Sequence, residues 1–183
     1  TQFVTGDMDK AIETAELWRQ TYPSSSVPLI VLSDNYERIG RSDLAVEAAR
    51  EGLKIDENHA AMYSNLAHAL LSLGRYSEVE QLCTQLFAKN IDGFEFRVLL
   101  YQTAFIQNDD AAMAENLKWF KGRKDEYISF DLQAGSAAFQ GKSRVAREFS
   151  RRAVKLADRS GAREVAARYL AAQALRSVFW SSR

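Results

Sequence analysis

Residues 36–83 read YERIGRSDLAVEAAREGLKIDENHAAMYSNLAHALLSLGRYSEVEQLC, and they say nearly the same thing twice. The segment ERIGRSDLAVEAA (37–49) is followed, 34 residues on, by LSLGRYSEVEQLC (71–83). Each carries a Gly-Arg pair with apolar residues at matching offsets on either side. The register extends outward in both directions. Gly6, Gly40, Gly74, Asn108 and Gly141 lie 34, 34, 34 and 33 residues apart. A fixed period of this length is the mark of stacked supersecondary units rather than of one irregular core. Five residues after each hinge sits a small or apolar residue: Ala11, Ala45, Val79, Met113 and Ala146. Four residues before it sit Tyr36, Leu70, Ala104 and Ala137.

Each unit reads as two amphipathic helices. In SVPLIVLSDNYERIG, Leu29, Leu32, Tyr36 and Ile39 follow i, i+3, i+7 spacing, which places them on one helical face. In RSDLAVEAAREGLKI, residues Leu44, Ala45, Ala48, Ala49 and Leu53 form a second stripe, with Ser42 as the expected N-cap. A Gly or Asn hinge accepts positive φ and so ends the first helix of each pair. Pro23 falls 17 residues after Gly6, where the helix that follows Gly6 should stop.

Composition agrees. The chain has 183 residues, 46% of them hydrophobic, with only 9 Gly and 2 Pro to punctuate them. That is too few turn residues for a sandwich or barrel and suits long helices. A lone cysteine, Cys83, excludes an intrachain disulfide and fits a reducing, cytoplasmic setting. No apolar run reaches the length of a membrane span. The chain starts TQFVTGD, without an initiator Met or signal peptide. This reads as part of something longer, with Phe3 and Val4 as the tail of an earlier helix. Formal charge is zero but lopsided: residues 1–140 hold 13 Lys/Arg against 21 Asp/Glu, and residues 141–183 hold 11 against 3.

This pattern resembles the tetratricopeptide repeat (TPR) family. The second unit supplies Leu29, Leu32, Ser33, Tyr36, Gly40, Ala45, Ala49 and Gly52 at the family's signature positions, and the third supplies Tyr63, Leu66, Ala67, Leu70, Gly74, Val79, Cys83 and Leu86. The fourth departs at Arg97, Tyr101 and Asn108, and the fifth matches less. The resemblance implies an all-α, right-handed solenoid. Residues 1–160 form the array: a half repeat, three repeats and a divergent one. Residues 161–183 form a capping helix and tail, in which Val165, Tyr169, Ala172, Leu175 and Phe179 are expected to face the last repeat. The C-terminal stretches YQTAFIQNDDAAMAENLKWFKG and FDLQAGSAAFQGKSRVAREFSRRAVKLA look like the repeat regions of multidomain bacterial signalling proteins, in which a kinase or winged-helix domain precedes the repeats.

Catalytic signatures are absent. His59 and His68 are nine apart rather than at a helical metal-pair spacing, Cys83 sits at an apolar repeat position, and no phosphate-binding glycine motif or nucleophile elbow occurs. The acidic pairs at 109–110 and 125–126 lie near helix starts, where the helix dipole favours them. The expectation is a non-catalytic scaffold with no cofactor and no metal, which binds a protein or peptide partner. By the resemblance, the first helix of each pair lines a concave groove, here through Ile30, Asp34, Glu37, Ser64, His68, Leu71, Val98, Gln102 and Phe105. One TPR subtype clamps a C-terminal carboxylate; of the positions it uses, only Asn65 matches, beside Ile30, Asp34, Glu95 and Leu99, so that subtype is rejected. Arg144, Arg147, Arg151, Lys155 and Arg159 recur along one helix whose other face is Val145, Phe149, Ala153 and Leu156. A solvated face is the plain reading of this basic patch. Self-association or nucleic-acid binding is the alternative, with nucleic acid disfavoured by the zero net charge and the lack of interleaved aromatics.

Overall fold

The computed structural model describes the backbone of residues 6–181 and the side chains of residues 8–175. Among the described residues it is all helix and turn: α1 (Gly6–Thr21), α2 (Val27–Arg38), α3 (Ser42–Ile55), α4 (Ala60–Ser72), α5 (Tyr76–Ala88), α6 (Phe94–Gln107), α7 (Asp110–Phe120), α8 (Tyr127–Phe139), α9 (Ser143–Arg159) and α10 (Arg163–Ser181). The fold is an all-α, tetratricopeptide-type helical repeat, in which α2/α3, α4/α5 and α8/α9 are the packed pairs.

The hinges are Schellman closures. Gly40, Gly74, Asn108 and Gly141 have φ of 76°, 70°, 57° and 78°. In each case the next residue's N–H reaches the carbonyl four residues before the hinge: Arg41 to Tyr36 at 2.8 Å, Arg75 to Leu70 at 2.9 Å, Asp109 to Ala104 at 2.8 Å and Lys142 to Ala137 at 2.8 Å. The period in the sequence is therefore a period of left-handed residues. Only Gly adopts this conformation freely, with Asn the best substitute. Gly161, at φ 81°, closes α9 in the same way.

The residue after each hinge is the N-cap of the next helix. Ser42 is not that cap: α3 is capped by Arg41 with no side-chain cap bond, and Ser42 is a buried first-turn residue. The Arg of each Gly-Arg pair instead turns onto a first-turn acid. Arg41 Nε and Nη2 meet Asp43 at 3.3 Å, and Arg75 grips Glu78 with two hydrogen bonds. Where the hinge is Asn108, Asp109 caps directly, its carboxylate accepting from Ala112 N at 2.9 Å.

The chain divides into two compact units, the first extending to Thr103 and the second beginning at Ala104, within α6. In the first, Ala15, Leu29, Leu32, Ala45, Val46, Ala49, Met62, Leu66, Ala67, Leu70, Val79, Cys83, Leu86, Phe96 and Leu99 make one continuous buried cluster. Ala49 and Ala67 are 0% exposed, which shows why alanine recurs there: the backbones come close. Gly52 takes this furthest, since a Cβ added to it would run into Met62 and meet Leu29 Cβ at 3.3 Å. Arg97, a departure from the repeat signature, forms a two-bond pair with Asp92 (2.9 Å each) and lies 4.0 Å over the Phe87 ring.

The second unit is packed by smaller residues. Ala153, Ala157, Ala166 and Tyr169 form one buried cluster, with Tyr127, Phe130, Val154 and Val165 against it; Ala137, Ala138 and Ala146 form another. Two expectations fail here. Val145 is 40% exposed, and the buried stripe of α9 is Ala146, Ser150, Ala153 and Ala157. In α10 Leu175 is 63% exposed, while Ala166 and Tyr169 are the residues buried against α9. The Phe179 side chain lies outside the described residues, as do Phe3 and Val4.

Candidate functional site: the first-helix faces

Surface left free by packing is where a repeat protein meets other molecules, so the first helix of each pair was followed along its uncovered face. In the first unit these are α2, α4 and the N-terminal part of α6. Their apolar stripes face the core, which leaves the residues between them outward. Asp34 and His68 are exposed; Ile30, Glu37, Ser64, Leu71, Val98 and Gln102 are half-buried. Ile30 and Leu71 also pack on the core cluster and serve it with one side. Phe105 belongs to the second unit, where its ring meets Phe139 edge-on at 5.5 Å. Phe139 is 84% exposed and Ile106 48%.

Several polar residues on these faces fasten one repeat to the next. Asn65 Nδ2 donates to Ser33 Oγ at 2.7 Å and to Ile30 O at 3.4 Å, while Ser33 Oγ donates to Ile30 O at 2.9 Å. Ser33 is fully buried, so this α2–α4 clasp satisfies groups that would otherwise be costly. It also occupies the one residue that matched the carboxylate-clamp pattern. One turn further on, Ser72 Oγ donates to Glu37 Oε1. The other oxygen, Glu37 Oε2, is buried with no hydrogen-bond partner. It is an acceptor held within the α2–α4 face, with His68 close enough to feel its charge. Although one side of the ring reaches solvent, desolvation by the protein packed around the other pushes the His68 pKa down, and Glu37 pulls the other way and loses. His68 therefore favours its neutral form on a face whose remaining charges, Asp34 and Glu37, are acidic. Asp34 is held by Arg38 one turn along, at 2.8 Å in the open. Exposed pairs of this kind contribute little.

Among the described residues no three His, Cys, Asp or Glu side chains converge as a metal site. Cys83 is fully buried, and burial pushes its thiol up to about 12, so it is not a nucleophile at neutral pH. A recess of about 320 Å³ between α3, α4 and α5 has Leu53, Tyr63 and Leu66 in its wall. Its rim is crossed by the Arg50–Glu78 pair at 2.7 Å. No described helix is long and apolar enough to cross a membrane.

The sequence comparisons agree with this geometry. The tetratricopeptide repeat profile matches residues 29–59, which run from α2 through α3 to the start of α4. The match is to one repeat. The small glutamine-rich tetratricopeptide repeat-containing protein 2 of Mycosarcoma maydis is 36% identical over 72 residues, which is 39% of this chain. The chain spans about a fifth of the length of that relative. Both comparisons support tetratricopeptide repeats, a module that generally mediates protein–protein contact.

The sequence pointed to these outward positions through repeat register alone. It missed the Ser33–Asn65 and Glu37–Ser72 clasps. Ser, Asn and Glu are ordinary surface residues, and only the packing of α4 on α2 brings them together.

Proposed function

We propose that the chain is a non-catalytic interaction module within a larger signalling protein, and that it binds a peptide segment of another protein along the outward faces of α2, α4 and α6 in the first unit. The observation that carries this reading is the acidic pair of exposed Asp34 and half-buried Glu37 on the outward side of α2, with half-buried Ile30 on the same helix and Leu71 on α4. An apolar shelf beside acidic side chains suits a partner that alternates apolar residues with Lys or Arg. An acidic C-terminus would be repelled. In this reading α10 is the cap of the array, and its Ala166 and Tyr169 cover the apolar end of α9.

Selection of a displayed random-peptide library on the intact chain tests this. Counter-selection uses the Asp34→Lys variant, a site that is exposed and outside the core. Enriched peptides should pair basic with apolar residues and bind the variant at least about tenfold more weakly, a loss of about 1.4 kcal/mol. Peptides that bind both proteins equally, or that are acidic, would overturn the reading.

A further inference from the structure

The two units carry opposite charge. Residues up to Thr103 hold 9 Lys/Arg and 15 Asp/Glu, and those from Ala104 hold 15 and 9, so formal net charges are −6 and +6. The positive charge is organised. On α9 the small residues Ala146, Ser150, Ala153 and Ala157 face inward, and Arg144, Arg147, Arg151, Lys155 and Arg159 are all exposed. Among the described residues the ion pair on this helix is Arg152 with Glu148, and the five other cations have no acidic partner. A row of like charges one turn apart on a helix is unfavourable by a few tenths of a kcal/mol per pair without a counter-charge.

We propose that this stripe docks a second copy of the chain, through the exposed acidic face of its α1. There Asp9 and Glu13 are exposed, stand one turn apart and have no ion pair among the described residues. One helical turn rises about 5.4 Å, so their spacing equals that of Arg147 and Arg151, or of Arg151 and Lys155. Two helices laid side by side can bring both acids against two of these bases. Other partners fit less well. A single-stranded nucleic acid uses exposed aromatic platforms, but Phe149, within the stripe's helix, is half-buried and stacked on Phe130 at 6.4 Å. A membrane-lying helix needs an apolar outer face, and α9 offers only Val145. The contact pairs α1 of one copy with α9 of another, and it closes as a two-fold dimer if both copies make it reciprocally or continues from copy to copy if they do not.

Sedimentation velocity on the intact chain decides the matter. At about 0.02 M salt the weight-average sedimentation coefficient should climb with concentration above the monomer value; at about 0.5 M, where charges are screened within a few ångströms, it should fall to the monomer value. Arg147→Glu/Arg151→Glu and Asp9→Lys/Glu13→Lys should each stay monomeric at low salt, with wild-type helicity by circular dichroism. The two variants mixed in equal amounts should associate again, because each altered surface then meets one of opposite charge on the other chain. Wild-type monomers at low salt would overturn the proposal, as would association that survives the Arg147→Glu/Arg151→Glu change. If that variant loses helicity, Arg147→Gln/Arg151→Gln replaces it under the same criteria. Retention of a short RNA by the monomeric wild type would assign the stripe to nucleic acid instead.

Discussion

The first unit mixes leucine, valine, methionine and phenylalanine with alanine in one continuous cluster, whereas the two small clusters of the second are alanine with Tyr169, and Phe120 is wholly buried besides. Leu29, Leu32, Leu70, Leu86 and Leu99 are at most 2% exposed in the first; Ala134, Ala153 and Ala157 are 0% exposed in the second. Both solve the same problem, which is to hide one face of each helix, but by different means. In the first unit large side chains fill most of the space between helices, with Ala49, Ala67 and Gly52 at the close approaches; in the second, alanines take most of the buried positions of the clusters. The first arrangement gains more from each buried side chain, since apolar stabilisation follows buried area at about 25 cal/mol per Å². The second depends on shape and has little room to change.

That contrast breaks most visibly at Leu32. Leu32→Ala should cost about 2–5 kcal/mol, because the neighbours cannot collapse into the cavity. Cys83 provides the readout. It is the chain's single cysteine, lies wholly buried in the first unit and has its thiol pushed up to about 12. A thiol reagent should therefore leave the native protein untouched and label the variant at least about 30-fold faster, the equilibrium factor for 2 kcal/mol. Unchanged labelling would mean that Leu32 is not part of the barrier to opening.

In the second unit the sensitive direction is enlargement. Ala153→Leu should destabilise by about 1–3 kcal/mol through overpacking, seen as faster amide exchange in α8, α9 and α10. A stabilised variant would show that the alanine cluster hides unfilled space and is not tight.

A smaller difference separates the hinges. Gly74 has φ 70°, and its added Cβ would meet only the Tyr76 ring end, at 3.7 Å or beyond. Gly74→Ala should therefore cost about 1–2 kcal/mol for conformation alone. The reverse test, Asn108→Gly, should change the stability read from urea unfolding by less than about 0.5 kcal/mol, since relief at φ 57° is offset by the greater freedom of an unfolded glycine. A large gain there would show Asn108 to be strained.

Charge effects should be smallest. His68 has a folded pKa below its ordinary 6.5 because burial disfavours the cation. The unfolded chain then binds more protons, so its contribution is complete above about pH 6.5 and declines as pH falls toward the lowered folded value. His68→Gln should flatten that slope in a series of urea midpoints. Glu78 is held below its usual 4.5 chiefly by Arg75, so its contribution persists through neutral pH and is lost as pH falls through the lowered value. A His68 slope of the opposite sign would mean that Glu37, not burial, governs the imidazole.

How much of this was legible in residues can be argued from single positions. Gly40, Gly74, Asn108 and Gly141 announced themselves by period, since the backbone there needs a residue free of the Cβ penalty, and few residue types qualify. Leu32, Leu66 and Ala45 followed from helical spacing. Val145 and Leu175 did not, because spacing gives a face and cannot say where a neighbouring helix ends. Of the outward positions, Asp34 and His68 could be read from register. The orphaned oxygen of Glu37 could not, because its burial depends on α4 lying against α2.

The sequence by itself determined the repeat, the helix pairs, the hinge conformation and the charge asymmetry. Each is a local or additive property, fixed by residue type and spacing along the chain. Tertiary structure alone decided that Asn65 clasps Ser33, that Ser72 holds one Glu37 oxygen and leaves the other bare, that among the described residues Arg152 is the α9 cation with an acidic partner, and that the division between units falls within α6. Those are contacts between residues distant in the chain. Their energies depend on separations of a few ångströms that no periodicity in the sequence encodes.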